Sequence, residues 1–118
     1  MSVAVPVEHA LAVYGTLKPG ESNHQIVAGI KGEWSAGIIR GYLFEIGWGP
    51  AEGYPGLVPH KKGNEIPVGL LISPDLPRHW DRLDCFEGPG YRRRAVDVWS
   101  DDVVFAKAFV YEALTQNE

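Results

Sequence analysis

The spacing of apolar positions changes several times along the chain. Ala10 to Tyr14 is continuously apolar, which predicts a short buried strand ended by Gly15, Pro19 and Gly20. Ser22 and Asn23 suit the N-cap of a helix carrying Ile26, Val27 and Ile30, and Gly29 and Gly32 keep that helix short. From Trp34 to Ile46 β-branched and aromatic letters return, interrupted by Gly37 and Gly41 as in the bent strands of a closing sheet. Gly47 to Gly53 reads as a loop, and Tyr54 to Val58 and Val68 to Ile72 as further strands. Between Pro74 and Gly88, Leu76, Trp80 and Leu83 fall at helical spacing. A short amphipathic helix is expected there, with Pro77 in its first turn and Glu87 just past its end, in a Gly-Pro-Gly turn. Tyr91 to Trp99 and Val103 to Tyr111 then form a predicted hairpin joined by Ser100, Asp101 and Asp102. Strands outnumber helices, so the expected fold class is α+β, a small mixed β-barrel with short flanking helices.

A chain of 118 residues suits a single domain, 1–118, with a lead over residues 1–9 and a tail over 114–118 expected to be flexible. The apolar share of 45% and charged share of 22% are those of a globular protein, and four Trp supply large surfaces for burial. The formal net charge is −4, and the only basic cluster, Arg92 to Arg94, sits inside an alternating strand pattern. That leaves no extended positive face, which argues against a nucleic-acid partner. No apolar run approaches the ~20 residues needed to cross a bilayer, so no membrane partner is expected. The lone Cys85 cannot close an internal disulfide, and the start lacks a signal-peptide pattern, which favours the cytoplasm. Oligomeric state leaves no mark in the letters.

Three short segments could carry chemistry. Tyr14-Gly15-Thr16-Leu17 ends a strand in a glycine and a hydroxyl residue, and such a turn can aim backbone N–H groups at an anion. It is also what an ordinary strand-to-loop turn looks like, and the paired Gly-Lys-Ser/Thr of a nucleotide loop is absent. Leu83-Asp84-Cys85-Phe86-Glu87-Gly88 places a glutamate between the aromatic surfaces of Phe86 and Tyr91, which could desolvate its carboxylate. Tyr54-Pro55-Gly56-Leu57 reads as strand initiation. Asp81, Asp84 and Glu87 resemble a solvated helix face more than a metal site, because no histidine joins them at ligand spacing. Cys85, at a helix C-terminal end where the dipole disfavours a thiolate, is expected to be a buried structural thiol.

Taken in order, Val13-Tyr14-Gly15-Thr16-Leu17, Tyr54-Pro55-Gly56-Leu57 and Leu83-Asp84-Cys85-Phe86-Glu87-Gly88 with Tyr91 and Arg93 resemble the γ-glutamyl cyclotransferase-like family, in its γ-glutamylamine cyclotransferase and AIG2-like branch. The resemblance runs from about Leu11 to Tyr111. It implies a barrel whose pocket opens at the first loop, with the glutamyl part of a small γ-glutamyl substrate bound by Tyr14, Gly15, Thr16 and Leu17. It further implies Glu87 as the catalytic acid/base that helps cyclise the γ-glutamyl group to 5-oxoproline with release of an amine or amino acid. Tyr91 takes the following substrate-side tyrosine position, and no cofactor or metal is implied. The alternative is a non-catalytic module on the same fold, binding a small acid or a protein partner.

Overall fold

The structure, a computed structural model, describes residues 5–15, 17–46 and 55–114. Thr16, Tyr54, the glycine-rich 47–53 loop and most of the expected tail lie outside the described residues. The described residues form six strands: β1 (Ala10–Val13), β2 (Glu33–Glu45), β3 (Pro55–Pro59), β4 (Asn64–Ile72), β5 (Tyr91–Ser100) and β6 (Val103–Ala113). Two α-helices, α1 (Gln25–Ala28) and α2 (Trp80–Glu87), and short 3-10 turns over Val7–His9 and Leu76–Arg78 accompany them. The strand order is β3-β2-β4-β1-β6-β5, and β5 returns to pair with β2. Five strands therefore close a mixed barrel, with β3 added at the edge of β2 and, among the described residues, only the β1–β6 pairing parallel.

The period of two in β1 divides its apolar run between two cores. Ala10 and Ala12 join Ile39, Leu57, Leu70, Val98 and Val110 inside the barrel. Leu11 and Val13 point the other way, into a second core with Leu71, Trp80, Leu83 and Tyr111 that the helices cover. A strand buried on both faces can have no polar position, which is why these letters are uninterrupted. β2, at 13 residues, is one long strand where its glycines suggested several. Gly37 lets it cross β5 closely, since a Cβ there would lie 2.5 Å from Val98 Cγ1. The β5–β6 hairpin turns on Asp101 and Asp102, whose φ of 50° and 66° are the paired positive values a type I′ turn needs.

Three expectations are revised. Helix α1 starts after His24, not at Ser22 or Asn23, because successive turns, including Lys18 N–H to Gly15 O and His24 N–H to Glu21 O, hold the chain until then. Glu87 is the last residue of α2, one position earlier than its Gly-Pro-Gly context suggested. Cys85 is exposed, because Trp80 and Leu83 turn α2 so that its thiol faces solvent. Part of the lead is tied down, with Trp80 Nε1–H donating to Glu8 O at 2.9 Å. No helix of the described residues is long and apolar enough to cross a membrane.

Two glycine substitutions test the crossing of β2 and β5. Gly37→Ala should destabilise by about 1–3 kcal/mol, the usual cost of overpacking a filled site. Gly29→Ala, where an added Cβ meets nothing within 4 Å and φ is −82°, should be neutral or stabilise by about 0.4–1 kcal/mol. Chemical denaturation midpoints of the two variants against the parent would separate them.

Candidate active site

β1 delivers Tyr14 to the rim of the barrel, and there its hydroxyl is fully used. It donates to Tyr111 O at 2.7 Å and accepts from Leu57 N–H at 3.2 Å. Burial, with the carboxylates and phenol nearby, holds this phenol far above its usual range, so the hydroxyl stays a neutral donor. Next to it Lys18 N–H closes on Gly15 O at 3.2 Å, which makes Gly15 to Lys18 a tight turn. Among the described residues no backbone acceptor takes the N–H of Gly15 or Leu17. The loop also comes close to β3: a Cβ on Gly15 would lie 3.1 Å from a Pro55 ring carbon, which would have to give by a few tenths of an ångström.

Helix α2 brings Glu87 to the same place. Gly88 ends the helix at φ 80°, a conformation that glycine adopts freely, and its N–H satisfies Asp84 O at 3.1 Å. Asp84 keeps part of its side chain in solvent, as its spacing suggested, but it is also partnered. It accepts from the Tyr111 hydroxyl at 2.7 Å and lies 3.3 Å from Arg93 Nε. The Arg93 guanidinium sits over the rings of Trp80 and Phe109, at 4.7 and 4.9 Å from their centroids. The end of α2 is therefore pinned to both strands of the β5–β6 hairpin one turn before Glu87.

Tyr14, Gly15, Leu17, Glu87 and Tyr91 line one cavity of about 340 Å³. Glu87 is half-buried there, and among the described residues no hydrogen bond or ion pair engages its carboxylate. Burial pushes that carboxyl up from 4.5 to about 7. Tyr91 closes one wall and donates its hydroxyl to Pro55 O at 2.7 Å. Two polar side chains in the lining were not anticipated as site residues, Tyr111 and Asn23. Tyr111 was hidden in a β-branched and aromatic strand run; its one signal is a phenol at a position that faces the helices, where it requires a partner. No group of His, Cys, Asp and Glu among the described residues could hold a metal ion.

The profile of the family described as gamma-glutamyl cyclotransferase, AIG2-like, matches residues 11–118. The chain belongs to that family. No curated protein matches it by sequence. Among solved structures of similar fold, YkqA from Bacillus subtilis is 29% identical, with a TM-score of 0.66 over 89% of this chain and 35% of its own. The chain thus spans about a third of YkqA. PH0828 from Pyrococcus horikoshii is 24% identical (TM-score 0.62, 91% of this chain and 79% of its own). An AIG2-like protein from Mus musculus is 22% identical (TM-score 0.63, 92% and 80%). These likenesses establish for the AIG2-like chain the barrel and its flanking helices.

The raised carboxyl has a measurable signature in this AIG2-like site. Between pH 4.5 and about 7 the folded chain keeps a proton on Glu87 that the unfolded chain releases. The contribution of Glu87 to stability therefore falls as pH rises through that window and is level above it. A carboxyl-resolved NMR titration should place the Glu87 midpoint near 7, and Glu87→Gln should remove this part of the pH dependence of unfolding. A midpoint in the ordinary carboxylate range would show that the side chain is solvated.

Proposed function

We propose that this chain is a γ-glutamyl cyclotransferase-type enzyme, converting a γ-glutamyl group to 5-oxoproline with release of an amine or amino acid. The observation that carries the reading is the unpaired, desolvated Glu87 carboxyl in one cavity with the Tyr14 to Leu17 loop. Family membership supports the same class of chemistry.

In the proposed reaction the substrate's α-amine attacks its own γ-carbonyl carbon. The new C–N bond closes a five-membered lactam, and the bond to the departing amine breaks. Glu87 as carboxylate takes the proton from the attacking nitrogen and then returns it to the leaving nitrogen, so the enzyme ends as it began. A carboxyl that titrates near neutrality can do both halves, being a stronger base than a solvated carboxylate while still ionising. Attack is intramolecular, so holding the substrate folded supplies much of the acceleration; well-oriented systems reach effective molarities of ~10⁵ M or more. The N–H groups of Gly15 and Leu17, which no backbone acceptor takes among the described residues, would serve the α-carboxylate or the developing γ-oxyanion. Tyr14 forms a wall of the cavity, and its committed hydroxyl is left out of the proton transfer. Thr16 enters this proposal as part of the substrate-holding loop, and Tyr91 as the opposing wall.

A panel of γ-glutamyl amines, γ-glutamyl amino acids and γ-glutamyl isopeptides, assayed for 5-oxoproline release, tests the reaction directly. On the best substrate Glu87→Gln should lower kcat by at least ~10², the usual contribution of general acid/base catalysis, and leave folding intact. For the parent, kcat/KM should rise with pH and level off above a midpoint near the Glu87 value of about 7. Full turnover by the glutamine variant would sink the mechanism. Turnover is also expected to survive EDTA; loss on chelation, restored by a divalent ion, would assign a metal to the carboxylates.

A further inference from the structure

A second cleft lies at the seam where the barrel closes. β2 and β5 are joined there by one recorded pair, Ile38 with Trp99, beside a register shift at Val98/Trp99. Past that pair the same edge of β2 passes to β3, from Gly41 onward, while β5 continues along β6. The strands part, and a cavity of about 230 Å³ opens that shares no lining residue with the Glu87 cavity. Arg40 comes from β2, His60 and Lys61 from the β3–β4 turn, and Arg94, Asp97 and Lys107 from the hairpin opposite.

Charge is concentrated here against the trend of the molecule. Four cationic side chains surround one carboxylate, in a chain whose net charge is −4. Two of the four are already paired, Lys107 with Asp97 at 3.0 Å and Arg94 with Glu112 at 2.9 Å. Arg40 and Lys61 are not: among the described residues no carboxylate oxygen lies within 4.0 Å of either, although Glu65 is the cross-strand neighbour of Arg40.

Arg40 is nevertheless held. It is half-buried, and its guanidinium carbon lies 4.0 Å from the centre of the Trp99 ring. Such stacking uses the face of the guanidinium and leaves its in-plane N–H donors for a ligand. His60 is fixed as well. Its Nδ1 accepts from Lys62 N–H at 3.0 Å, so the neutral ring carries its hydrogen on Nε2 as a donor, and the ring packs against Tyr42 at 5.7 Å.

We propose that this seam cleft is a binding site for a phosphate-type oxyanion, with Arg40 as the preorganised fork and Lys61 and His60 as further donors. A tetrahedral oxyanion offers acceptor oxygens in several directions, which suits donors arriving from one strand and one turn better than a planar carboxylate does. The phosphate could come as the free inorganic ion or as a monoester, and the ligand series must tell these apart.

The test is a ¹⁵N NMR titration of the full chain with inorganic phosphate and, separately, with a nucleoside 5′-monophosphate, against sodium chloride at matched ionic strength. Shifts centred on Arg40, Lys61 and Ala95 to Asp97 are expected with phosphate and not with chloride. A tighter response to the nucleotide identifies a monoester site, and equal responses identify a site for the free ion. Arg40→Gln should weaken binding by about tenfold or more, as loss of a hydrogen bond to a charged group does. Lys61→Gln, on an exposed turn where folding is not at stake, should also weaken it, and Lys31→Gln, outside the cleft, should not. Absence of localised shifts at millimolar phosphate, or unchanged affinity in the Lys61 variant, would overturn the proposal.

Discussion

The hydroxyl of Tyr14 is the constraint around which the rim of the barrel is arranged. It stands just past the end of β1, donates to a carbonyl of β6 and accepts from an amide of β3. Three strands that are not all neighbours in the sheet thereby meet at a single oxygen. A buried phenol with both its donor and acceptor capacity satisfied costs nothing in unmet polarity, and leaving any one of the three groups unpaired would cost about 1–3 kcal/mol. The N–H groups of Gly15 and Leu17, just after Tyr14, meet no backbone acceptor among the described residues. The same residue thus closes the paired strand and opens a loop in which these two amides remain for another acceptor.

Asp84 does for the helix what Tyr14 does for the strands. By receiving Tyr111 and Arg93 together it fixes the last turn of α2 against the hairpin, and Glu87, a few residues on, inherits that position. Arg92, Arg93 and Arg94 make the link intelligible. In a strand their side chains alternate, so Arg93 serves the helix side while Arg92 and Arg94 both reach the buried carboxylate of Glu112. What reads along the chain as one basic cluster is, in space, two separate charge-neutralising devices on opposite faces of one strand.

The apolar periods carried much of the fold. Uninterrupted letters marked β1 because both its faces are buried, and the shift to helical spacing marked α2 because only one of its faces is. Boundaries that depend on side-chain partners far away in sequence were less legible. Nothing near Asp84 announces that it will meet Arg93 and Tyr111, and Cys85 was expected buried although it stands on the face of α2 away from Trp80 and Leu83. The ordered motifs brought together Glu87, Tyr14, Gly15, Leu17 and Tyr91 as neighbours of one cavity, but the emptiness around the Glu87 carboxylate is a property of three-dimensional packing. So is the seam cleft, whose cationic members are scattered from Arg40 to Lys107.

The parallel pairing of β1 with β6 has a consequence for how the chain is made. Tyr14 and Tyr111 are separated by 97 residues, and β6 is the last of the described strands. During synthesis from the N-terminus, β1 can pair with β4 through Ala10 to Ile72 long before its other neighbour exists. Until then one edge of a wholly apolar strand has no partner, the situation most prone to wrong pairing between nascent chains. Cellular folding of this small barrel therefore has a vulnerable interval set by topology, which lasts from the completion of β4 until β6 emerges and caps the edge of β1.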